Sequence, residues 1–166
     1  MRPITMDDVH LLVALDSDPE VMRYISGGKP SSRAETERIV RRALGHRWLA
    51  FERDRGEFVG WFGIRPSTAT SRELGYRLRR EMWGKGYATE GSRAAIAHAF
   101  VQPGVEVVRA ETMAVNTRSR AVMERCGLRY VRTFHLEWDD PIAGTEHGEV
   151  EYETTKPEWQ KQHPTP

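Results

Sequence analysis

Residues 82–91 read MWGKGYATEG, three glycines and a lysine in ten positions. Residues 73–80 before them have strand character, and the alanine-rich run 92–100 after them predicts a helix. A loop entering a helix presents unpaired N–H groups at the positive end of the helix dipole. Glycine lets such a loop turn where a side chain would clash, and lets a bulky anion approach closely. Gly84, Lys85 and Gly86, leading into Tyr87, Ala88 and Thr89, therefore suit a phosphate or pyrophosphate, with Lys85 adding a point charge. A packing turn made of small residues is the plainer reading of any one glycine pattern.

Two familiar phosphate loops fit poorly. A Walker-type loop needs a Ser or Thr after Gly-Lys, and here Gly86 follows Lys85. A dinucleotide fingerprint needs G-x-G-x-x-G near a first strand, and Gly91 comes two places late.

The elements that must position this loop can be read from capping and periodicity. Thr5 with Asp8 opens a helical stretch, Asp18-Pro19 a second, and Ser32 with Glu35 a third that ends near Gly45. Two strand-like runs, 47–52 and 57–64, flank the turn Arg53-Asp54-Arg55-Gly56 as a hairpin. A strand follows the glycine-loop helix over 105–115. Asn116 or Thr117 then caps a short helix ended by Gly127. Alternation predicts further strands over 129–138 and 149–155, and the tail is expected to fray after Trp159. Trp48, Phe51, Phe58, Trp61 and Phe62 lie on alternating strands and are read as sheet packing rather than a ligand cage.

Composition bounds the partners. A net charge of +1 argues against nucleic-acid binding through bulk charge. With Cys126 as the only cysteine, disulfide frameworks and cysteine-rich metal sites drop out, and no metal is expected. No apolar run reaches the ~18 residues of a membrane span, and residues 1–8 lack a signal-peptide core, so the expectation is a cytoplasmic protein without a membrane partner.

Residues 83–88 resemble the acetyl-CoA signature of the GNAT superfamily of N-acetyltransferases, Arg/Gln-x-x-Gly-x-Gly/Ala. Gly86 and Ala88 fill its last two fixed places, and Trp83 stands where Arg or Gln is usual. Thirty residues on, Asn116-Thr117-Arg118-Ser119 and then 121–128 resemble the family's N-x-x-S…GF segment, with Leu128 for Phe. Residues 18–24, 73–76 and 141–150 resemble the RimJ/RimL-like branch in particular. That branch opens with a longer strand ending in RLRP, where this chain has Met1-Arg2-Pro3.

The resemblance implies an α/β (α+β) fold: one GNAT domain over residues 1–159. Its mixed, mostly antiparallel central sheet would have a splayed pair of strands and about four flanking helices, and residues 160–166 would be a frayed tail. It implies acetyl transfer from acetyl-CoA by direct attack of a primary amine, either a protein N-terminal α-amine or a small molecule, by a monomer or homodimer. Residues 83–89 would hold the cofactor, with Asn116 and Ser119 flanking the pantetheine arm. Leu78, Arg79 and Arg80 would pair with its amides, and the Leu78 N–H would polarise the thioester carbonyl. Glu73 and Glu111 are both candidates for the base, with His135 and His147 behind them. Met123 stands where many members carry a thiolate-protonating tyrosine. The alternative reading is a non-catalytic acyl-CoA-binding regulatory module of the same fold.

Overall fold

The computed structural model describes residues 1–163, and the last three residues of the tail lie outside the described residues. Among the described residues, strands β1 (Arg2–Pro3), β2 (Arg47–Phe51), β3 (Phe58–Pro66), β4 (Ser71–Leu78), β5 (Val107–Met113), β6 (Arg129–Phe134) and β7 (Glu149–Thr155) form one sheet. Its order is β1-β2-β3-β4-β5-β7-β6. Every neighbouring pair is antiparallel except β4 and β5, which run parallel and meet only over Ser71–Glu73 against Val107–Arg109. Beyond Glu73 these two strands part.

Helices α1 (Val9–Asp16), α2 (Pro19–Ser26) and α3 (Arg33–Ala43) precede the hairpin, while α4 (Tyr87–Phe100), α5 (Thr117–Arg125) and α6 (Lys156–Gln162) follow β4, β5 and β7. Among the described residues, six helices thus flank the sheet. Local chemistry sets their starts. Asp18 accepts from the Glu20 N–H at 2.8 Å with Pro19 in the first turn, and Ser32 and Glu35 form a reciprocal capping box.

Alternation along the strands divides the core in two. On one face, Phe62, Ile64, Leu74, Val108, Ala110, Val150 and Tyr152 pack against Ile96 and Ala99 of α4, Met123 of α5 and Cys126 just after it. On the other, Leu49 and Trp61 pack against Leu12, Leu15 and Val40 from α1 and α3. The strand aromatics are packing groups, as their alternation suggests, and Cys126 is fully buried, its thiol pushed up to about 11 by burial.

Two boundaries depart from the sequence reading. The tail does not fray at Trp159: a capping box between Thr155 and Glu158 starts α6, buried Trp159 packs near Phe100, and the helix runs to Gln162. β6 stops at Phe134 instead of 138, because residues 135–148 leave the sheet and fold back over the end of β5.

Candidate functional site

The site forms where β4 and β5 separate. The Arg79 N–H donates to the Val59 carbonyl at 2.9 Å, which makes that pair a hydrogen-bonded one in the β3–β4 ladder. Alternation then turns the backbone groups of Leu78 and Tyr76 away from β3 and toward the gap. In the gap, the indole N–H of Trp83 donates to the Leu78 carbonyl at 3.0 Å. Leu78 thus has its carbonyl occupied and its N–H directed into the opening. Arg79 cannot pair with an amide through its own N–H, since Val59 holds it, and Arg80 opens a 3₁₀ turn with its carbonyl bonded to the Trp83 N–H.

The glycine loop lies at the mouth of this gap. Gly84 and Gly86 both have positive φ, 76° and 88°, and a Cβ at either would meet open space. Their need for glycine is therefore conformational. Gly91 differs: it lies inside α4, and a Cβ there would come 2.3 Å from the Phe62 ring, so it is a packing glycine. Gly86 caps α4 without a side-chain acceptor, and the first intrahelical bond is Glu90 N–H to the Gly86 carbonyl. The N–H groups of Tyr87, Ala88 and Thr89 are left pointing out of the helix start. Lys85 is exposed beside them, and the Tyr87 hydroxyl is anchored on Glu52 at 2.6 Å.

Across the gap, Asn116 caps α5. Its Oδ1 accepts from the Ser119 N–H at 3.2 Å and its Nδ2 donates to Thr112 at 3.0 Å, so one lone pair and one N–H remain for other partners. The Ser119 hydroxyl is engaged with Tyr76 at 2.8 Å. Met123 is buried in the core and supplies no acid.

The candidate bases occupy the open sheet face. Glu73 is held by Arg65 through contacts of 2.6 and 2.7 Å and lies where β4 and β5 are still paired. Glu111 lies beyond that pairing, exposed and without an ion-pair partner among the described residues. Although its side chain reaches solvent, desolvation by the surrounding protein and then the charges of Glu73 and Glu151 push its carboxyl up against the opposing pull of Arg132 and Arg65. The same face carries Glu151, buried and matched by Arg132 at 2.6 Å and Arg109 at 3.4 Å. It also carries Glu149, 7% exposed, with its Oε1 lacking any hydrogen-bond partner. Sequence reasoning passed over Glu149 as one acid in an alternating strand, and only its register against Met113 reveals its place. His135 and His147 are on the β6–β7 connection, His147 exposed beside Glu146.

Two cavities flank the sheet. One, of about 220 Å³, lies between α2 and residues 143–147, with Arg23, Tyr24, Val115, Gly144, Glu146 and His147 in its wall. The other, of about 240 Å³, is lined by His46, Trp48, Ile64, Pro66, Arg72 and Gln102. It lies at the far end of β3 and β4 from Leu78, so its slightly larger volume does not connect it with the gap.

The family model described as an acetyltransferase (GNAT) domain matches residues 1–129. An Aspergillus fumigatus protein named FsC-acetyl coenzyme A-N(2)-transacetylase is 36% identical, covering 95% of this chain and 73% of its own. Among solved structures, the spermidine N-acetyltransferase of Vibrio cholerae in complex with CoA and spermine superposes with a TM-score of 0.80 at 16% identity, covering 95% of both chains. The ribosomal L7/L12 α-N-protein acetyltransferase RimL, in complex with coenzyme A, superposes at 0.76 with 16% identity, covering 93% of this chain and 92% of that one.

Proposed function

The chain belongs to the GNAT acetyltransferase family, and from that membership we propose that it acetylates the primary amine of a small, cationic molecule. It is an acetyl-CoA-dependent N-acetyltransferase. The proposal concerns which residues act and on which amine.

The observation that carries the reading is the parted β4–β5 pair with an unpaired N–H on Leu78 and a glycine-rich helix start at its mouth. The N–H groups of residues 87–89, the positive φ of Gly84 and Gly86, and Lys85 suit the pyrophosphate of CoA. Leu78 and the spare hydrogen-bonding capacity of Asn116 suit the pantetheine amides. Trp83, in the place of the usual polar residue, acts by fixing the Leu78 peptide instead of by touching phosphate.

Transfer then needs no covalent enzyme intermediate. The amine attacks the thioester carbon, charge grows on the carbonyl oxygen, and an oriented Leu78 N–H lowers the barrier by about 2–4 kcal/mol. The amine must first lose its ammonium proton, which calls for a carboxylate. Arg65 neutralises Glu73, so of the two strand carboxylates Glu111 is the one free to face the incoming ammonium.

A small cationic acceptor is supported by the acidic face of β5 and β7 and by the confined cavity beside α2. The name of the 36% identical relative specifies acetyl transfer to an N(2) nitrogen. A protein N-terminal α-amine is the second reading, favoured by the RimJ/RimL-like residues 18–24 and 141–150.

Calorimetric titration of acetyl-CoA into wild type, Gly86→Asp and Gly86→Asn tests the donor site. The two variants share a shape and differ by one negative charge. Binding is expected in wild type, to be retained within ~10-fold by the asparagine variant and weakened ~100-fold or more by the aspartate. Equal binding by all three proteins would remove the loop from the site. A screen of diamines, polyamines and N-terminal peptides, read by thiol release, then separates the two acceptor readings.

A further inference from the structure

β7 carries two buried glutamates on the same face, two residues apart, with opposite surroundings. Glu151 is 4% exposed and neutralised by Arg132 and Arg109. Glu149 is 7% exposed, has no cation beside it among the described residues, and leaves Oε1 without a donor. A buried carboxylate in that state is costly, and a fold normally pairs it or replaces it. Nothing in the local packing requires it: Glu149 caps no helix and closes no ladder through its side chain.

Its position is informative. Glu149 pairs with Met113 at the end of β5, and Glu111 pairs with Glu151, so Glu111 and Glu149 are diagonal neighbours on one face. The parallel register of β4 and β5 has an offset of 36, from Ser71 against Val107. Carried along the strands, it sets Met113 and Glu149 level with Arg77 and Leu78. The unpartnered acid is therefore at the height of the N–H that faces the thioester, on the acceptor side of β5. Residues 135–148 fold back over the neighbouring end of β5: a Cβ on Gly144 would lie 2.6 Å from Val115 Cγ2 and 3.4 Å from Met113 Cε. Burial first, then the charge of Glu111, raises the Glu149 carboxyl above the ordinary carboxylate range.

We propose that Glu149 is the proton acceptor of the transfer reaction, and that Glu149 and Glu111 together form a two-carboxylate receptor for the acceptor's ammonium group. The ammonium supplies the positive partner that Glu149 lacks. It gives one proton to the Glu149 carboxylate, directly or through one water, leaving the neutral amine. The amine nitrogen bonds to the thioester carbon, the carbon–sulfur bond breaks, and the CoA thiolate takes the second proton from nitrogen. Glu149 then releases its proton to solvent, so each turnover yields amide, thiol and one free proton. Among the charged groups around Glu149, Glu111 on β5 acts on it directly, Glu151 lies two residues along its own strand with its charge met by Arg132 of β6, and the His135 ring lies against the adjacent Gly148.

This rests on the acetyltransferase reading above, and the test separates the two. Glu149→Gln keeps the shape and removes the base. With 1,4-diaminobutane as probe amine, kcat is expected to fall about 100-fold or more, with acetyl-CoA affinity unchanged by calorimetry. The acidic limb of the wild-type kcat/KM profile should disappear, and in Glu111→Gln it should move to lower pH as the neighbouring charge is lost. At pH 7 the Glu149→Gln protein should also melt higher than wild type, because an uncompensated buried charge has gone. Carbon-13 NMR of labelled glutamate supplies a readout without turnover: Glu149 should titrate above ordinary glutamates and shift down when 1,4-diaminobutane is added. Retained kcat, a lower melting temperature, or a normal titration unaffected by the diamine would overturn the assignment. A wild type that binds acetyl-CoA and acetylates no amine, with the NMR shift intact, would instead count against the reaction and leave the receptor standing.

Discussion

The proposed donor side of the gap and the proposed acceptor side are built by different means. The donor side is mostly backbone: two left-handed glycines, the first N–H groups of α4, and the Leu78 peptide held by Trp83. The acceptor side is side chains, a set of carboxylates contributed by β5 and β7. Peptide groups can bind a phosphate chain that never varies, whereas side chains can be exchanged to suit another amine. The contrast predicts that donor-side changes act through shape and acceptor-side changes through charge.

The largest effect should come from the donor side. Gly91→Ala puts a methyl against the Phe62 ring and is expected to cost up to about 3 kcal/mol, read as a lower urea midpoint with acetyl-CoA affinity falling alongside. A fully stable variant would break the distinction between the packing glycine and the conformational pair. Next, Glu111→Gln should raise KM for a diamine about 10-fold, roughly 1.4 kcal/mol, with KM for acetyl-CoA unmoved. If both KM values rose together, the two sides would not be separable by charge. Trp83→Phe removes one hydrogen bond, about 1 kcal/mol, and should lower kcat about 5-fold without altering the pyrophosphate grip.

The smallest effect belongs far from the gap, where β1 meets α1. Arg2 and the Thr5 groups hold Asp8 at about 2, below its ordinary 3.8. A depressed carboxylate stabilises the fold above its unfolded value and loses that contribution as pH falls from about 4 toward 2. Half-exposed Arg2 limits the gain to about 1 kcal/mol. Asp8→Asn should flatten the melting temperature over that interval while leaving neutral-pH transfer rates unchanged.

Much of the fold is legible in order. The Asp18-Pro19 start, the Ser32–Glu35 box, the 53–56 turn and strand 149–155 depend on neighbours within a few residues, so local chemistry announces them. The tail misled because its polar, proline-containing composition resembles a disordered end, yet Pro157 and Glu158 are good first-turn residues once Trp159 has a core to enter. The glycine loop and the Asn116 cap were legible for the same local reason.

The acids were not. In the sequence, Glu73 and Glu111 look alike, and Glu149 and Glu151 look alike. A glutamate's proton affinity depends on which charges lie within a few ångströms, and strand register decides that. Arg65 across one ladder neutralises Glu73, and Arg132 and Arg109 across two others neutralise Glu151. Backbone conformation at the donor mouth follows from residue type and near neighbours, so ten letters suffice to write it. The electrostatics of the acceptor face come from residues brought together across β3 to β7, and no local stretch of the chain contains that information.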